Sequence, residues 1–139
     1  MASIILNSCL RDEAVGNINF SSDSFKVMLL TSTATPNKDT WLKRSDATNE
    51  VSGTGYTAGG AAATVTVGSV DTTNDRVDIT LGGASWTTAT ITARYAVYYK
   101  ARGGASSADE LVAVVDFGSD VTSTAATFTL SASTLRKQN

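Results

Sequence analysis

The sequence encodes an all-β fold, a single-domain sandwich or jelly-roll-like barrel spanning residues 1–139, and three of its features say so. Its polarity is carried by hydroxyls rather than charges: there are 21 Thr and 16 Ser, while only 17% of residues are charged against a usual share of about a quarter. Thr is β-branched, stiff at χ1 and better suited to a pleated surface than to a helix. Short runs alternate apolar and polar residues with the period of two that marks a half-buried strand. Glycine pairs (Gly59-Gly60, Gly82-Gly83, Gly103-Gly104) punctuate these runs. The length suffices for one core without metals or disulfides.

Near the N-terminus, Ser8 as a cap and Gly16 as a stop frame a short helix over Asn7 to Val15, with Arg11, Asp12 and Glu13 towards water. From Ser24, Phe25, Val27 and Leu29 fall on one face of a strand, and Lys26, Met28 and Leu30 on the other. The second half of that strand reads as buried on both sides. Pro36 ends it, and residues 37–60 form a long polar loop containing Gly53, Gly55, Gly59 and Gly60. Unstructured segments of that length in a compact domain usually carry function. Ala62 to Val67 and Arg76 to Leu81 alternate around the turn Asp71-Thr72-Thr73-Asn74-Asp75, a hairpin. Trp86 and Ile91 lie in a Thr-rich segment, and Arg94 to Lys100 is the strongest strand. Leu111 to Phe117 and Ala126 to Ser131 are two more, joined to their neighbours by polar connections such as Ala101 to Asp109. Residues 132–139 read as a flexible tail.

Little in the composition suits catalysis. With no histidine, the commonest general base and zinc ligand are missing. Cys9 stands alone, reads as a small buried hydrophobe and requires no oxidising compartment. The adjacent pairs Asp12-Glu13 and Asp109-Glu110 point apart in regular structure. Asp71, Asn74 and Asp75 offer oxygens for a cation, but Asp and Asn in a turn more often satisfy the local backbone. No enzyme activity, metal or cofactor is expected. The net charge of −2, with basic residues scattered singly or in pairs, argues against nucleic-acid binding. No run approaches a membrane span. Met1-Ala2-Ser3 followed by Ile4-Ile5-Leu6 lacks the features of a secretory signal, so folding in a cytosol is expected.

The candidate site is therefore a contact loop: Trp41, Glu50, Gly53, Gly55, Tyr56, Gly59 and Gly60. A phosphate-loop reading of its glycines fails. The residues before it are polar, a strand follows, and no Lys stands at its end. Trp41, Tyr56 and Trp86 could instead form a sugar-stacking platform, which requires an exposed Trp in a concave patch.

Four pieces, in order and spacing, extend over nearly the whole chain: Asp23 to Leu30, Asn49 to Gly60, Ala89 to Lys100 and Leu111 to Gly118. Together the chain resembles a family of small structural proteins of tailed bacteriophages, with the glycine-rich piece the most specific. The resemblance implies a virion protein without catalytic residues, bound outside the major capsid lattice as a head decoration or cement protein. Its implied partners are the major capsid protein and itself, as a homotrimer assembled on the capsid surface in the host cytoplasm. A tail-tube or tail-associated subunit and a glycan-binding module remain alternatives. The short polar end Ser131 to Asn139 departs from relatives that close with another apolar strand.

Overall fold

The computed structural model describes residues 3–139. In chain order its elements are β1 (Ile4–Ile5), α1 (Asn7–Ala14), β2 (Phe25–Leu30), β3 (Ala61–Ala63), β4 (Val65–Val67), β5 (Arg76–Leu81), β6 (Ala84–Lys100), β7 (Leu111–Leu130) and β8 (Ser133–Gln138). They make a five-stranded antiparallel sheet ordered β1-β7-β6-β2-β3 and a three-stranded one ordered β4-β5-β8. The domain is all-β with one short helix, and the sheets do not close into a barrel.

Both faces of the larger sheet are buried. On one, Phe25, Val27 and Leu29 of β2 join Tyr98, Val112 and Val115, the α1 residue Cys9, and Ile79, Leu81 and Leu135 from the smaller sheet. On the other, Met28 and Leu30 join Leu6, Val97, Tyr99, Leu111 and Val114 beneath Trp41 and Ala47. The alternation read in β2 is thus realised side for side.

β6 and β7 form one long hairpin, and it curls back on itself. Phe117 and Phe128 both belong to β7, yet their ring centroids are 6.4 Å apart, where eleven residues of straight strand would span about 36 Å. Likewise the Tyr98 hydroxyl donates to the Gly82 carbonyl (2.9 Å), just before β6 begins. The bend is distributed over register shifts between Trp86 and Ala89, Ala89 and Ile91, and Ala93 and Tyr95, with Thr88 and Ala125 at positive φ. Bulges of this kind increase strand curvature. Small side chains at Ala89, Ala93 and Ala96 occupy the buried face of the curl.

Several boundaries differ from those the sequence suggests. The run Ala62 to Val67 is two strands, broken at Thr64 as the chain crosses from one sheet to the other. The strands expected at Leu111 to Phe117 and Ala126 to Ser131 are both parts of β7. The helix is capped at Leu6 without a side-chain bond, because the Ser8 hydroxyl donates instead to the Trp41 carbonyl. The expected flexible tail, residues 132–139, is corrected to a strand: β8 pairs with β5 from Ser133↔Leu81 to Gln138↔Arg76. Its polar alternation hides one buried anchor, Leu135, 2% exposed. Leu135→Ala should cost about 2–4 kcal/mol, by loss of transfer energy and creation of a cavity, measurable by urea denaturation; a tail would lose nothing.

Candidate partner-contact site

The loop expected to reach for a partner is anchored inward at Trp41, Ala47, Val51 and Gly59, while Gly53 and Gly55 are exposed. Trp41 is 7% exposed and Val51 is 4% exposed. Residues 37–60 form the long loop expected, which roofs one face of the larger sheet and completes its edges. β3 pairs with β2 only as far as Val27. Beyond that point the Tyr56 hydroxyl accepts the Leu29 N–H (3.0 Å), and Leu29 C=O accepts the Val51 N–H (2.9 Å). Tyr56 in turn donates to the Glu50 carboxylate (2.7 Å), which also accepts the Gly59 N–H (2.6 Å). The Tyr99 hydroxyl donates to the Gly59 carbonyl (2.6 Å). Burial, reinforced by the Glu50 carboxylate against the opposing Leu29 N–H, pushes the Tyr56 phenol well above its ordinary value.

The glycines serve close approach. At Gly60, with φ +78°, a Cβ would lie 1.8 Å from the Val27 carbonyl oxygen. At Gly55, φ +82°, it would meet the Ala89 backbone at 2.8 Å. Gly53 lies against Thr90 and Ile91, and the Thr90 N–H donates to Thr54 C=O at 3.0 Å. The loop thereby seals the β6 side of the curl, with the Tyr56 ring 5.8 Å from that of Trp86. Trp86 is 6% exposed. With both tryptophans interior, the exposed platform that a glycan reading requires is absent from the described residues.

A second constellation escaped the sequence reading. Asp109 and Glu110 are each 2% exposed and are held by different cations. Asp109 pairs with Arg44 at 2.7 Å and accepts the Arg102 N–H at 2.9 Å. Glu110 takes the Arg102 guanidinium (2.6 Å at the closest approach) and Lys43 at 3.4 Å. Arg44 also stacks over the Tyr99 ring, 4.9 Å from its centroid. Burial acts to raise the Glu110 carboxyl, but Arg102 and Lys43 outweigh it and hold it at about 2. The cluster ties the β6–β7 connection to the roof loop. The local signs were a basic pair, Lys43-Arg44, and an acidic pair, Asp109-Glu110, that follows Arg102 in the same connection.

Elsewhere the residues with chemical potential have structural partners. Asp71 accepts the N–H groups of Thr73 and Asn74, both at 3.1 Å, as an Asx turn does. Burial pushes the Cys9 thiol up to about 12. Among the described residues no three His, Cys, Asp or Glu side chains converge as a metal-binding group.

What the fold leaves open is the opposite side of the curl. Past its short pairing with β1 at Ala113 and Val114, β7 has β6 as its only partner strand among the described residues. Beside it lies a depression of about 280 Å³ lined by Val115, Phe117, Val121 and the stretch Phe128 to Ser133, in which Val115, Phe128 and Leu130 are already buried. Val121 is 43% exposed.

Two measurements check these assignments. Tyr56→Phe keeps the ring but removes the acceptor of the buried Leu29 N–H. It should cost about 1–3 kcal/mol and speed hydrogen exchange at the Leu29 amide, read by NMR. Glu110, at about 2 rather than its ordinary 4.5, stabilises the fold fully above about pH 4.5. That contribution is lost as the pH falls towards 2. Glu110→Gln should therefore be less stable at neutral pH and show a shallower loss of denaturation midpoint between pH 4.5 and 2.

The chain matches no protein-family model, no curated protein and no solved structure.

Proposed function

We propose that this protein is a structural subunit of a tailed-phage particle, a homotrimeric decoration protein that binds the major capsid protein outside the head and stabilises the shell. The phage assignment is supported by the resemblance of the four sequence pieces described above. The observation that carries a structural role is the unsealed side of the curl: a rigid domain presents an uncapped strand edge beside an open depression. Sheet edges left open in this way are templates for pairing. On a symmetric shell, many copies making the same modest contact gain from multivalency, and three-fold assembly matches local three-fold points of the lattice.

Purified protein mixed with preformed phage shells, then imaged, tests the reading. Density outside the shell at the junctions of capsid subunits, with a raised shell-disruption temperature, is the expected result. Assembly into rings or tubes without shells, and no density on them, would replace it with a tail-tube role.

A further inference from the structure

Where the roof loop meets β2, the fold brings two cations to one small cavity and pairs only one of them. Lys26 stands opposite Tyr99 in the β2–β6 pairing, so both side chains share the sheet face beneath the loop. Arg44, from the loop itself, lies over the Tyr99 ring, 4.9 Å from its centroid. Both cations line a cavity of about 240 Å³, walled also by Gly59 and by Gly103 and Gly104 of the β6–β7 connection. We infer that this cavity binds a small oxyanion, a phosphate or carboxylate group, between the Lys26 ammonium and the free nitrogens of the Arg44 guanidinium.

Three observations support an anion there. The first is surplus charge. Asp109, the one carboxylate in the lining, is committed: one oxygen accepts from Arg44 Nε at 2.7 Å and the other from the Arg102 N–H at 2.9 Å. Lys26 has no ion-pair partner among the described residues, so the lining keeps a net positive charge. The second is preorganisation. The bond to Asp109 and the Tyr99 ring fix the guanidinium, while its Nη1 and Nη2 donate to no protein acceptor among the described residues. Gly59 is held at both polar groups, its N–H by Glu50 and its carbonyl by Tyr99. Donors fixed in advance bind at little ordering cost. The third is access. The N–H groups of Gly103 and Gly104 donate to no backbone carbonyl among the described residues. At Gly104 a Cβ would meet nothing within 4 Å and the backbone lies outside the left-handed region, so neither crowding nor strain requires glycine. A bare backbone at that wall leaves its N–H open to an approaching oxyanion.

Size and donor geometry define the occupant. The cavity is smaller than the roughly 300 Å³ at which sites for drug-sized ligands begin, so the group that enters is small. With Nε occupied, the Arg44 guanidinium still offers its Nη1–Nη2 edge, whose parallel N–H bonds match two oxygens of a carboxylate or phosphate. Lys26 adds a compact point charge, and an anion between the two relieves their mutual repulsion. The site is independent of any role on a shell.

Inorganic phosphate is the probe, titrated into the isotope-labelled chain at neutral pH and low salt and followed by NMR, with chloride of equal ionic strength as the control. Saturable shifts at the amides of Gly59, Gly103 and Gly104 and at Arg44 Nε, absent with chloride, are expected. Acetate titrated in the same way separates the two chemistries: saturation by phosphate alone assigns a phosphate site, and saturation by acetate assigns one that accepts carboxylates. Lys26→Gln should weaken binding at least about ten-fold, and Lys26→Arg should restore it. Since Lys26 makes no ion pair in the free chain, both variants should match the wild type by circular dichroism. Saturating anion should raise the thermal midpoint of the wild type and of Lys26→Arg, and leave that of Lys26→Gln unmoved. Shifts that follow ionic strength alone would overturn the inference. So would saturation centred on other basic residues, such as Arg11 or Arg136, or unchanged affinity in Lys26→Gln.

Discussion

A two-stranded ribbon as long as β6–β7 can bury its apolar side only by bending until its two halves face each other. Straight, it would leave Trp86, Phe117 and Phe128 in water, and isolated two-stranded sheets are marginal at best. Curled, it brings Phe117 to Phe128 and Tyr98 to Gly82. The remaining elements then occupy places that the curl creates. The smaller sheet closes the inside, β2 extends one flank, and the roof loop covers the outer face. Bulges, positive-φ residues and alanines are the means of bending, so their distribution along β6 and β7 reflects geometry more than local propensity.

A curled ribbon has two lateral openings, and the chain treats them differently. On the β6 side the hydroxyl of Tyr56 takes the hydrogen bond that a further strand would have given Leu29, and its ring covers Trp86. The loop is a strand substitute. Glycine is required there because another backbone runs within van der Waals contact, as the Val27 oxygen does at Gly60. Composition suggested an exposed arm, because a polar, glycine-rich sequence can equally be a solvated loop or one whose polar groups are satisfied internally.

The sequence was most legible where alternation was strict and residues were large. Phe25 to Leu30, Arg76 to Leu81 and Arg94 to Lys100 all lie in strands, with the β2 faces assigned as read. It was least legible where bulges shift the phase. Around Thr88, Gly118 and Ala125 the chain skips a residue or enters positive φ, so the alternation breaks although the strand continues. Both faces there are built from Thr, Ser and Ala, which carry little contrast. β8 was missed for a related reason: one leucine among polar neighbours supplies no period. The roles of Asp109 and Glu110 lay beyond local reading, since Arg44 and Lys43 approach them from a distant part of the chain.

The pairing of β8 with β5 has a consequence for biosynthesis. Translation delivers β5 well before β8, while β1 must wait for β7 to supply Val114 opposite Ile4. During synthesis β1 therefore lacks its partner until β7 is made, and β5 has β4 alone until β8 is made. Such intermediates, with open edges and exposed aliphatic surface, are the species from which aggregation starts. Completion of the smaller sheet thus depends on a late-made strand, and β8 is the clasp that ends the vulnerable period.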